Sequence, residues 1–147
     1  MSVRIVVVAQ RGGSVGEPRL LELAEPVHRQ LRPRLDAQYA ENMQRVFAAG
    51  GEMCVAVDGE RIAGLAVFRV YENTFLGQHL YVDDLVTDEV SRSRGVGKAL
   101  LDFLAGLARQ RGCKAVTLDS GTQRERAHAF YFREGFSIRA FHFVKPL

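Results

Sequence analysis

Cysteine is scarce in this chain: there are two among 147 residues, Cys54 and Cys113. They show no CxxC spacing and have no nearby histidine to complete a ligand set, so neither a disulfide framework nor a zinc site is expected, and no metal is assigned. Long apolar runs are missing too. The longest near the start, residues 5–9, falls far short of a signal-peptide core or a membrane span, so no membrane partner is expected and the cytoplasm is the default compartment. Nor does one sign of charge dominate. Twenty Lys+Arg stand against seventeen Asp+Glu for a net charge of +3. The arginines are spread among acids rather than clustered with aromatics, which argues against a nucleic-acid partner. The small basic excess suits an anionic ligand. No repeat, low-complexity run or composition shift divides the chain, and 47% apolar residues are enough for one buried core, so a single domain over residues 1–147 is expected.

What is present reads as alternating strands and helices. Residues 3–9 are β-branched and short, a strand, followed by a loop over 10–18 rich in Gly, Ser and Pro. Leu20, Leu21, Leu23, Ala24 and Val27 form a helical stripe that Pro33 brings to an end, and a second helix is expected over 36–49. Asp58-Gly59 between two strand-like runs is a hairpin signal, and residues 79–87 make a third strand of the same sheet. A long helix follows, with Val96, Leu100, Phe103, Leu104 and Leu107 on one face. Then come a strand over 114–120, a helix over 122–134 and a last strand over 136–144. The fold class is α/β, a mixed sheet that starts antiparallel and ends in strand–helix–strand crossovers.

The stretch SRSRGVGKALLDFLAGLARQ, residues 91–110, invites a phosphate-loop reading. A Walker A loop would need glycine at Arg92 and a hydroxyl at Ala99, and a dinucleotide fingerprint would need glycine at Leu100, so both templates fail. What survives is their common physics: a glycine turn opening a helix, free N–H groups at the helix start, and Arg92 and Arg94 adding charge.

Arg92-Ser93-Arg94-Gly95-Val96-Gly97 resembles the R/Q-x-x-G-x-G/A pyrophosphate loop of the GNAT superfamily of N-acetyltransferases. YVDDLVTDEVSRSRG before it and RERAHAFYFREGF after it resemble that superfamily's motifs in the same order, a similarity spanning roughly residues 52–143. The resemblance implies a single-domain, mostly antiparallel sheet flanked by helices. A V-shaped opening between the strand ending at Thr87 and the strand over 115–119 would hold acetyl-CoA as cosubstrate, with an amine as acceptor. It implies that the backbone of Leu85, Val86 and Thr87 pairs with the pantetheine amides. The N–H groups of the run Arg94, Gly95, Val96, Gly97, Lys98 and Ala99 would cradle the pyrophosphate, with Arg92 and Ser93 in the same loop. Arg124 stands where many relatives carry Asn on the CoA side, and a homodimer is the common assembly.

Acetyl transfer needs a base for the amine and an acid for the departing thiolate. Tyr131 matches the family's A-x-x-x-Y-x-x-x-G spacing from Ala127 to Gly135 and is the implied acid. Arg124, His128 and Tyr131 share a helix face at i, i+4 and i+7. For the base there are two candidates. In a regular strand Asp83 and Asp84 face opposite sides, and Asp84 continues the Leu80, Val82, Val86 face, where a carboxylate must be paired or functional. YVDDLV is similar to the Tyr-x-Glu-Asp run of diamine acetyltransferases, whose proposed base aligns with Asp83, while a bulge in the family's strand can change which acid faces the cleft. Two acidic residues there favour a cationic acceptor such as a polyamine, an amino sugar or a lysine-like amine. His79 shares the Asp83 face and His142 sits between Phe141 and Phe143; with Tyr71 and Phe75 they could wall the acceptor pocket or simply pack, and they carry no catalytic assignment. The competing reading is a non-catalytic acyl-CoA-binding module that keeps the same loop.

Overall fold

β-branched and apolar residues build the centre of a six-stranded sheet. The computed structural model describes residues 2–147. Its strands are β1 (Arg4–Gln10), β2 (Ser14–Val15), β3 (Glu52–Asp58), β4 (Arg61–Asn73), β5 (Gly77–Thr87) and β6 (Val116–Leu118), in the order β2-β1-β3-β4-β5-β6. The pairs from β2 to β5 are antiparallel. The helices are α1 (Pro18–Leu31), α2 (Tyr39–Ala48), α3 (Val96–Gln110) and α4 (Glu125–Arg133). The chain divides into two compact units, one up to Thr117 and one over Leu118–Leu147.

The hairpin expected at Asp58-Gly59 forms: Asp58 pairs with Arg61, and Gly59 adopts φ +63°, a left-handed conformation that costs glycine little. Along β3, Met53, Val55 and Val57 alternate into a core shared with Leu21, Ala24 and Val27 of α1 and Met43 and Phe47 of α2. Each such side chain stabilises the fold by about 1.5–3 kcal/mol on burial. On α3, Val96, Leu100 and Leu104 are buried, as their helical spacing predicts. The helix seats against β4 at Gly64, where a Cβ would stand 2.8 Å from both the Val86 carbonyl oxygen and a Val96 methyl.

The β5 strand carries the site, and its register is broken where the two acids lie. Val67 pairs with Asp84 but Phe68 pairs with Val82, so Asp83 is the extra residue of a β-bulge. At its start β5 is tied to the β6 segment by Lys114 N–H to the Gln78 carbonyl (2.8 Å) and Leu80 N–H to the Ala115 carbonyl (3.0 Å). Leu85, Val86 and Thr87 lie further along β5, paired with Ala66, Leu65 and Gly64 of β4.

Two expectations change. The 10–18 loop contains the short strand β2, which bridges Ala9 and Gln10 of β1. The strand expected over 136–144 does not form: residues 136–147 have no regular structure, and Phe141 and Phe143 are 82% and 92% exposed. Apolar alternation supplies faces, but a strand also requires a hydrogen-bonded neighbour along its length, and apolar residues fall on both faces of this segment.

Candidate active site

Asp83 and Asp84 are adjacent in sequence and differ in every other respect. Arg69 of β4 donates both Nε–H and Nη2–H to one oxygen of Asp83, Oδ2, at 3.0 and 2.9 Å. The other oxygen, Oδ1, has no partner among the described residues, and the side chain is 28% exposed. Burial pushes the Asp83 carboxyl above the usual carboxylate range, with Arg69 opposing the rise.

Asp84 has both oxygens engaged. His28 Nε2 donates to Oδ2 at 2.7 Å, and Arg32 Nε donates to Oδ1 at 2.8 Å. Arg32 also reaches the Asp83 backbone carbonyl at 3.1 Å. Burial by itself would raise the Asp84 carboxyl, but hydrogen bonds and charge from His28 and Arg32 outweigh it and hold the group below its ordinary range. The carboxylate interrupting the buried face is therefore a paired one.

The pairing reaches further. His28 is 1% exposed, and its Nδ1 lies 2.8 Å from the Tyr39 hydroxyl at the start of α2. A carboxylate can only accept, so Nε2 carries a proton; the contact at Nδ1 runs from the Tyr39 O–H when the ring is neutral and from Nδ1–H to the phenol oxygen when it is charged. Burial pushes the Tyr39 phenol well above its ordinary value, which keeps it a donor. Three elements, α1, α2 and β5, thus meet in one buried polar chain. His28, Arg32, Tyr39 and Arg69 are absent from the residues singled out by sequence. The available signal was a lone histidine on the apolar stripe of α1, where Leu21, Ala24, Val27 and His28 are the buried positions.

Beyond β5 the chain makes a 3-10 turn (Glu89–Ser91) and enters α3. Arg92 is extended, Ser93 has φ +64°, and Gly95, the residue capping α3, has φ +83° with no side chain closing the helix end. Backbone of this shape turns successive N–H groups to one side and makes an anion-binding concavity. Arg92 and Arg94 are exposed with no ion pair among the described residues. Lys98 lies 3.0 Å from Asp102. A Cβ built on Gly95 meets nothing within 4 Å, so glycine is needed there for its conformation. One expected donor drops out: the Ala99 N–H bonds the Gly95 carbonyl at 3.0 Å inside the helix.

Tyr131 and Arg124 belong to the second unit. There Tyr131 is buried against Phe130 and Phe136, with ring centroids 5.5 and 5.7 Å away, and its hydroxyl has no hydrogen bond among the described residues. Burial raises its phenol and the Arg124 charge partly offsets the rise. Of the two expected polar neighbours, His128 instead bonds the Gly121 carbonyl at 2.8 Å. His142 pairs with Asp119 at 3.2 Å. In the first unit His79 is buried, donates from Nδ1 to the Gly77 carbonyl at 2.9 Å and lies against Tyr71. Phe75 is exposed. Among the described residues no cluster of three or more metal-ligating side chains occurs.

Comparison with known proteins agrees with this arrangement. The family model described as Acetyltransferase (GNAT) family matches residues 18–136. An uncharacterized N-acetyltransferase, YhdJ, of Bacillus subtilis is 36% identical, over 83% of this chain and 88% of its own length. The aminoalkylphosphonate N-acetyltransferase of Salmonella typhimurium is 31% identical over 54% of this chain and 50% of its own. In fold, the chain is similar to the crystal structure of ribosomal-protein-alanine N-acetyltransferase from Brucella melitensis, with a TM-score of 0.80 at 18% identity over 99% of both chains. A glycine-capped turn at the start of α3, a bulged β5 and a family model covering most of the chain lead to one conclusion: the chain belongs to the GNAT family, the N-acetyltransferases that move an acetyl group from acetyl-CoA to an amine.

Proposed function

We propose that the protein acetylates a primary amine by direct transfer, with Asp83 as the base and Tyr131 as the acid. The observation that carries the base assignment is the asymmetry of Asp83. Arg69 clamps one oxygen, while the other is free at a bulge and belongs to a carboxyl raised by burial. Asp84, committed at both oxygens and held ionised, is a poor proton acceptor and serves as an anchor. Tyr131 takes the acid's part through its motif and its surroundings: a raised phenol stays protonated near neutral pH and can hand its proton to a thiolate. Acetyl-CoA supplies the activated acyl group. The loop from Arg92 to Lys98 holds its phosphates, the backbone of Leu85, Val86 and Thr87 aligns its pantetheine arm, and Arg124 takes the CoA-contacting part through its motif position.

Each acid already has its own arginine, so the pair presents little net negative field, and the case for a cationic acceptor loses its electrostatic footing. The acceptor is defined by a neutral primary amine, on a small molecule or a protein. The same reading has one catalytic domain over residues 1–147, cytoplasmic and paired as a homodimer, without nucleic acid or membrane. Among the described residues, no helix is long and apolar enough to cross a membrane.

Calorimetric titration with acetyl-CoA, followed by thiol release with spermidine, 2-aminoethylphosphonate and a lysine peptide, tests the proposal. Asp83→Asn is expected to lower turnover by about 10²-fold, the usual worth of a positioned base, without loss of acetyl-CoA affinity. Unchanged turnover would remove Asp83 from the mechanism.

A further inference from the structure

Arg32 is the point at which the buried chain of α1 and β5 comes to the surface. Its guanidinium bonds Asp84 Oδ1 and the Asp83 carbonyl, and the same side chain lines an open cavity of about 440 Å³ where α1 runs into α2, together with Arg34, Asp36 and Asn42. Arg32 is half exposed, whereas Asp84 is 14% exposed and His28 hardly at all. A long arginine at the end of a helix has many rotamers, and holding one of them requires a fixed acceptor. Asp84 is that acceptor only while its own rotation is stopped, and the group that stops it is His28, itself held from behind by Tyr39.

We propose that His28, backed by Tyr39, is a positioning residue of the acceptor side of the site, acting through Asp84 to fix the Arg32 guanidinium on the cavity rim beside Asp83. This rests on the reading in which Asp83 meets the amine. Residues Tyr39, His28, Asp84 and Arg32 then form one line of hydrogen bonds from the interior to the acceptor. A histidine that merely fastened α1 to β5 would contribute to folding and leave the acceptor contact alone. A positioning histidine changes the behaviour of Arg32 and of the acceptor, but not the cofactor loop at the start of α3.

Nitrogen-15 spectra of the full chain read Arg32 directly, through exchange of its Nε–H, and steady-state kinetics read the two substrates separately. His28→Gln places an amide N–H where Nε2 stood, facing Asp84; His28→Asn places its amide where Nδ1 stood and leaves Asp84 without that donor. The Arg32 Nε–H signal is expected to be protected in the wild type and in His28→Gln and to exchange rapidly in His28→Asn. With whichever of 2-aminoethylphosphonate or the lysine peptide turns over, both of which offer oxygen acceptors to a guanidinium, acceptor KM is expected to rise about tenfold in His28→Asn, as for a lost hydrogen bond to a charged group, with acetyl-CoA KM unchanged. His28→Asn combined with Arg32→Ala should be no worse than Arg32→Ala alone. An unchanged Arg32 signal, equal behaviour of the two His28 variants, or a parallel rise in both KM values would overturn the proposal. Tyr39→Phe, which removes one hydroxyl, is the second arm: loss of Arg32 protection supports the line, and an unaltered signal refutes it. If Asp83→Asn keeps its turnover while His28→Asn still releases Arg32, the base assignment has failed and the positioning device has not.

Discussion

Replacing Arg69 by Met should raise the Asp83 carboxyl further above the usual carboxylate range. The substitution keeps the apolar stem packed on β4 and removes the charge that bonds Asp83 Oδ2 at 2.9 Å. Two unit charges about 4 Å apart interact by about 1 kcal/mol in water and about 4 kcal/mol at an effective dielectric of 20. With roughly a third of each side chain exposed, the pair lies toward the weaker end, about 1.5 kcal/mol, enough for the rise to be resolved by titration. Burial, the largest influence on this carboxyl, already raises it, and without Arg69 nothing comparable opposes it. Titration of the Asp83 side-chain carbon in carbon-13-labelled protein measures this without knowledge of the acceptor. The wild-type carboxyl is expected above the ordinary 3.8, that of Arg69→Met higher again, and that of Asp84 below 3.8 in both proteins. An Asp83 that titrates below Asp84, or does not respond to loss of Arg69, would refute the electrostatic reasoning behind the choice of base.

Three further outcomes follow from the geometry. Gly95→Ala forces a Cβ onto φ +83° and should cost about 1–2 kcal/mol; acetyl-CoA affinity should fall about tenfold by calorimetry, and an unaffected affinity would mean that this loop does not hold the phosphates. Tyr131→Phe should lower turnover while leaving acetyl-CoA binding and melting temperature close to wild type, because the hydroxyl it removes has no hydrogen-bond partner among the described residues. The pH dependence of stability should single out Asp84. Its folded carboxyl lies below the unfolded value of 3.8, so its stabilisation is present above that pH and disappears as pH falls from 3.8 through the lower folded value. Wild type should exceed Asp84→Asn in denaturant midpoint at pH 6, with the gap closing in that acid window; a gap that persisted below it would show that the ion pairs do not supply the difference.

What could be read from sequence, and what could not, divides by the range of the interaction. The Asp58-Gly59 hairpin and the α3 stripe are set by residues within one or two turns of each other; the hairpin formed where the pattern placed it, and the stripe holds at Val96, Leu100 and Leu104, while Leu101 and Ala108 are buried in place of the half-buried Phe103 and Leu107. The turn that opens α3 is equally local: its glycines and arginines lie within six residues, and its left-handed conformations belong to Ser93 and Gly95. The two acids were visible as well, because a carboxylate on a buried strand face demands an explanation. Their partners were not. Arg69 is 14 residues from Asp83, Arg32 is 52 from Asp84 and His28 is 56, distances at which only the finished sheet and helix packing bring side chains together. The missing strand over 136–144 has the same origin. Its alternation describes faces, while strand formation depends on a neighbouring backbone that a single segment cannot specify.

The bulge at Asp83 joins these scales. A regular strand would send Asp83 and Asp84 to opposite faces with equal rights to a catalytic role. One extra residue in β5 lets both carboxylates find arginines from different places, β4 for one and the residue just after α1 for the other, and gives them unequal surroundings. The acid with two fully used oxygens becomes a fixed point for α1 and α2; the acid with a spare oxygen keeps the capacity to change its protonation. Adjacent, chemically identical side chains acquire different work because their lone pairs are filled to different extents. Straightening β5 by deleting Asp83 should therefore be far more damaging than Asp83→Asn, since it shifts Asp84 away from His28 and Arg32 as well as removing the base. Loss of Arg32 Nε–H protection in the deletion variant, with protection retained in Asp83→Asn, would separate the bulge's structural effect from the chemistry of its side chain. Equal protection in the two would show that Asp84 finds its partners without the bulge.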